Sequence, residues 1–79
     1  MKLYLLENPC QTRVGYRSAV VLANTEQEAR ETHPDGGTFP DVFWTDRPEV
    51  VVVKYLGQAA KQLEKNFPKR VVLAYFHEE

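Results

Sequence analysis

Between Ser18 and Gly37 the chain reads SAVVLANTEQEARETHPDGG, a strand, a cap, a helix and a stop in one pass. Ala19 to Ala23 is a compact apolar run of the kind that builds strands. Thr25 is a capping residue type, and Glu28 three positions on completes a capping box, each side chain satisfying a backbone N–H at the helix start. Pro34 cannot continue the helix, and Asp35-Gly36-Gly37 suits the turn that follows. The spacing predicts a strand over 18–23 and a helix over 26–33. Ala29, Thr32 and His33 are the only inward stripe on that helix, which is too short and polar to stand without a sheet beneath it.

Working outward, Lys2 to Glu7 alternates as a first strand, with Leu3 and Leu5 on one face and Tyr4 and Leu6 on the other. Asn8-Pro9 breaks it, and the polar segment 10–17 reads as a connecting loop. Segment 36–48 is irregular and gathers Phe39, Phe43 and Trp44. Val50 to Leu56 is the clearest strand, ended by Gly57; Val51, Val53 and Tyr55 share one face, and Val50, Val52, Lys54 and Leu56 the other. Gln58 to Asn66 forms a second helix with Ala59, Ala60, Leu63 and Phe67 on its apolar stripe, stopped by Pro68. Arg70 to Phe76 is the last strand. The order β-β-α-β-(α)-β has connections too short for most parallel crossovers. It implies an α+β fold, a four-stranded mainly antiparallel sheet with one or two helices packed on it. The run Val50–Val53 is safest in the middle of such a sheet; at an edge it would invite dimerisation by strand pairing.

The 79 residues form one small domain over 1–79, with a core small enough that a partner or a second copy would add to its stability. A formal net charge of −1 gives no global attraction to nucleic acid or to an acidic membrane. The charges are nevertheless sorted. From Glu26 to Glu49 seven acids stand against Arg30 and Arg47; from Lys54 to Arg70 five bases stand against Glu64. Two solvated faces of opposite sign, or an acidic surface offered to a basic partner, both satisfy that pattern. Cys10 is the sole cysteine, which excludes an internal disulfide and a Cys-rich zinc site and favours a reducing compartment. The N-terminus lacks the apolar length of a signal peptide, and no run approaches a membrane span.

The combination SAVVLANTEQEARETHPDG, Trp44, VVVKYLGQA and VVLAYF resembles a group of small proteins encoded in bacteriophage and prophage genomes. Those proteins share an "EAR..HP.G" helix exit, a tryptophan loop, a "V.YLG.A" strand and a "VVLA.F" ending. The likeness spans Lys2 to Phe76 and departs most at Ala60 to Arg70, where an amphipathic helix replaces a shorter turn. The group has no assigned activity, so the resemblance implies origin and fold rather than mechanism. It implies a phage-derived protein of the host cytoplasm, and small phage proteins of this size often bind and block a host protein.

No set of residues carries a catalytic signature. Cys10 with His33 or His77 lacks an orienting group and an oxyanion hole, and His33, Asp35 and Asp41 fall short of a metal site. No cofactor or enzymatic activity is expected. Trp44 has two readings: with Phe39 and Phe43 it caps a small core, or with Phe43, Asp46 and Arg47 it forms a binding hot spot. Arg13, Tyr16 and Arg17 make a second candidate partner patch. Joined by Lys2, they also support the alternative of a nucleic-acid-binding accessory protein. The stripe on the second helix could likewise seat a second protomer. The expectation is a non-enzymatic module that binds a bacterial host protein or complex, with anti-CRISPR-type inhibition as one form and homodimerisation open.

Overall fold

The computed structural model of the chain describes residues 1–9, 14–40, 43–45 and 47–77. Strands β1 (Lys2–Glu7), β2 (Gly15–Ala23), β3 (Val52–Gln58) and β4 (Val71–His77) form one sheet in the order β3-β1-β2-β4. Every neighbouring pair is antiparallel. Helix α1 (Glu26–Arg30) follows β2, and α2 (Lys61–Asn66) lies between β3 and β4. This is the α+β architecture that the sequence implies.

Register decides what is buried. Tyr4 lies opposite Val21 and Leu6 opposite Ala19, so these side chains share one face with Ala23. On that face Ala29 of α1, Trp44 and Val51 complete a buried cluster, with Phe39, Val53, Val71 and Ala74 packed around it. The cap of α1 forms as expected: Thr25 Oγ1 accepts the Glu28 N–H at 3.1 Å. Glu28 reaches back to the N–H of Asn24 at 3.5 Å, one residue earlier than a capping box requires, and also holds Arg70 at 3.1 Å. The helix ends at Arg30, short of the expected His33. His33 precedes a proline, which disfavours helical geometry there, and Thr32 turns its hydroxyl back to the Glu28 carbonyl at 2.8 Å.

Other boundaries move as well. β3 runs through Gly57 to Gln58, so α2 starts at Lys61 instead of Gln58. β2 starts at Gly15 instead of Ser18, which shortens the expected loop. β3 starts at Val52 instead of Val50, because Pro48 opens a 3-10 turn through Val50 and Val51 sinks into the core. β3 also lies at an edge of the sheet, although the valine run looked safest in the middle.

With β3 and β4 on opposite edges, the segment joining them has to cross the sheet. It passes the end where β1 begins and β2 finishes. There the Ala59 N–H donates to the Met1 carbonyl at 3.0 Å, the Met1 amino group lies 3.4 Å from Glu64, and the Leu22 N–H donates to the Arg70 carbonyl at 2.7 Å. Leu22 is fully buried at that end on the second face of the sheet, opposite Leu3. Leu63 and Phe67 of the crossing segment are half-buried. Farther along the second face Val52, Leu56, Leu73 and Tyr75 remain exposed.

Candidate interaction surface

The three described residues 43–45 are pinned over the start of β2. The Tyr16 N–H donates to the Phe43 carbonyl at 2.7 Å, and Asn8 Nδ2 donates to the Trp44 carbonyl at 2.8 Å. Gly15 makes the approach possible. Its φ is +147°, and a Cβ there would stand 2.8 Å from the Phe43 oxygen, closer than such atoms come. Held this way, the neighbouring side chains part: Trp44 is 2% exposed within the core, whereas Phe43 is 45% exposed. The hot-spot role expected of Trp44 is therefore corrected, since an indole buried among Tyr4, Leu6 and Val21 offers no contact surface. The indole N–H has no hydrogen-bond partner among the described residues. Phe39 is half-buried and packs edge-on against His33, so of the three aromatics expected to act together only Phe43 faces out.

Phe43 does not stand alone. Its ring lies 6.0 Å from Phe76, and Phe76 packs edge-on against Tyr16 at 4.9 Å. These rings link the start of β2, the end of β4 and the pinned loop. Arg47 is exposed, and its Nε lies 4.0 Å from a Glu49 oxygen, a loose surface pair that holds little. Arg17 is half-buried. Arg13 and Asp46, the remaining expected contact residues, lie outside the described residues, as do Cys10 and Asp41. Lys2 does not join Tyr16 and Arg17: it pairs with Ala23, at the opposite end of β2.

Part of the acidic stretch is consumed internally. Glu28 holds Arg70, Glu26 lies 3.8 Å from Arg30, and Asp35 Oδ1 sits 2.6 Å from His33 Nδ1 while accepting the Gly37 N–H at 2.8 Å. His33 is buried at the end of α1. No three His, Cys, Asp or Glu side chains gather to hold a metal among the described residues.

A further surface escaped the sequence reading. On the second face of the sheet Leu73 is 66% and Tyr75 56% exposed. With Leu5, Ser18, Ala19 and Val20 they line a shallow depression of 40 Å³. Small-molecule sites run to roughly 300–1,000 Å³, so this is a docking surface in shape rather than a ligand pocket. The signal was present in β1, where both faces are apolar while only two short helices were in view to cover them.

These features define a small α+β domain whose described surface offers an aromatic cluster and a bare apolar sheet face. No helix among the described residues is long and apolar enough to cross a membrane. Neither a protein-family model, nor a curated protein, nor a solved structure matches the chain.

Proposed function

We propose that this chain is a non-enzymatic protein-binding module of phage or prophage origin, acting in the bacterial cytoplasm by inhibiting or modulating a host protein. Blocking a defence nuclease complex, in the manner of anti-CRISPR proteins, is one concrete form. The observation that supports this reading is the fixed, exposed ring of Phe43. The loop backbone is tied to Tyr16, and the side chain rests on Phe76, so little conformational freedom is left to lose on binding. Aromatic and arginine side chains dominate the energetics of protein interfaces, and Arg47 follows four residues later.

The test is affinity capture from nuclease-treated bacterial lysate, comparing the tagged wild type with Phe43→Ala/Arg47→Ala. Both substitutions are at exposed positions and should leave the circular dichroism spectrum unchanged. A stoichiometric host protein that the wild type retains and the variant loses supports the reading. Equal capture by both removes this surface from it. Capture that vanishes on nuclease treatment favours the nucleic-acid alternative through Arg13, Tyr16 and Arg17.

A further inference from the structure

The segment between β3 and β4, residues 59–70, is tied at its ends and loose in its middle. At one end the Ala59 N–H donates to the Met1 carbonyl at 3.0 Å, and at the other the Leu22 N–H donates to the Arg70 carbonyl at 2.7 Å. Between them α2 has neither a buried residue nor a side-chain cap, and Leu63 and Phe67 are only half-buried. The contact of Glu64 with the Met1 amino group, at 3.4 Å, lies on the exposed surface.

Arg70 closes this segment under strain. Among the described residues it alone, apart from glycines, has a positive φ, +68°. In left-handed geometry a side chain crowds its own backbone, a cost that persists only where surrounding contacts impose it. Here three contacts do. The Arg70 N–H donates to the Phe67 carbonyl at 2.8 Å, its carbonyl accepts from Leu22, and its guanidinium donates to Glu28 of α1 at 3.1 Å. The Arg70 and Glu28 side chains are 44% and 40% exposed, so their pairing returns little, an amount of the same order as the strain it offsets.

We infer that residues 59–70 are a hinged strap, latched by Arg70, that swings off the end of the sheet while the strands stay folded. Release returns Arg70 to negative φ, parts it from Glu28 and frees the Leu22 N–H. It also uncovers Leu22, which is fully buried in the closed form, and so extends the bare apolar face of Val52, Leu56, Leu73 and Tyr75 to the end of the sheet. Strain favours release and the ion pair opposes it, so ionic strength sets the balance. This inference stands apart from the host-protein reading, since no host factor enters its test.

Amide exchange of the purified full chain under native conditions reads the opening. The amides of Phe67, Arg70 and Leu22 are expected to exchange together, at least about tenfold faster than those of Leu5 and Val20 in the central strands. Raising NaCl from about 0.02 to 0.5 M should speed these three about threefold relative to Leu5 and Val20 in the wild type, and leave their ratio unchanged in Glu28→Gln. A second pair of variants isolates the strain. Arg70→Ala and Arg70→Gly both lose the ion pair, but only glycine takes left-handed geometry freely. Leu22 is expected to exchange at least about fivefold more slowly in the glycine variant than in the alanine one. Referring each rate to Leu5 and Val20 of the same variant removes any change in global stability. Leu22 exchanging at the rate of the central strands in the wild type, equal Leu22 rates in the alanine and glycine variants, or a salt response that survives Glu28→Gln would each overturn the proposal.

Discussion

The two faces of the sheet are built from the same strands and almost the same residue types, yet they meet different fates. On one, Tyr4, Leu6, Ala19 and Val21 disappear beneath Trp44, Val51 and Ala29 of α1. On the other, Val52, Leu56, Leu73 and Tyr75 stay in solvent. What separates them is the path of the connections. The chain from α1 to β3 returns across the first face and carries an indole into it. The β3–β4 segment crosses the second face only at its end, over Leu22. Burial here follows topology more than hydrophobicity, and the uncovered face is what remains when a short chain has one long loop to spend.

The largest effect expected from this contrast is at Trp44. A buried tryptophan removes roughly 150–250 Å² from water, worth about 4–6 kcal/mol at ~25 cal/mol per Å². Trp44→Ala should therefore destabilise by about 3–5 kcal/mol, enough to unfold much of a domain this size, read as the shift in urea midpoint. A loss below about 1 kcal/mol would mean that the loop carrying Trp44 does not seal the first face.

Gly15 tests the hinge on which that seal depends. Gly15→Ala imposes a side chain at φ +147°, 2.8 Å from the Phe43 oxygen, and should cost about 1–3 kcal/mol. Because the strain falls on the bond between Tyr16 and Phe43, the variant should also increase amide exchange at Tyr16 before global unfolding. A stability unchanged within error would place the loop elsewhere.

Much of the fold was legible because local signals agreed with it. The alternation of Lys2–Glu7 and the cap at Thr25 each belong to a few neighbouring residues and needed no tertiary context, whereas the stop read at Pro34 came three residues early, at Arg30. The candidate site was less legible, because it depends on direction. Phe43 and Trp44 are adjacent and both aromatic, and only the long-range hydrogen bonds from Tyr16 and Asn8 decide which one faces out. The same holds for β4. The run VVLAYF declares a strand, but whether it lies inside the sheet or on its edge is set by strand order, and strand order here is settled by where the β3–β4 segment crosses.

Val51 and Val52 offer the narrowest form of the comparison, since they are neighbours of one type on opposite faces. Val51 is buried in the cluster and Val52, opposite Glu7, is exposed on the bare face. Threonine keeps the β-branched shape and exchanges a methyl for a hydroxyl, so the substitution reports solvation with little change in packing. In Val51→Thr the hydroxyl enters an apolar site and should cost about 1–3 kcal/mol. In Val52→Thr the hydroxyl meets water and β propensity is kept, so the change should stay within about 0.5 kcal/mol. Chemical denaturation of the two variants side by side measures the difference. Equal losses would show that the second face is covered in solution over its β3 side as well. Such a result would send the search for a partner to the whole face.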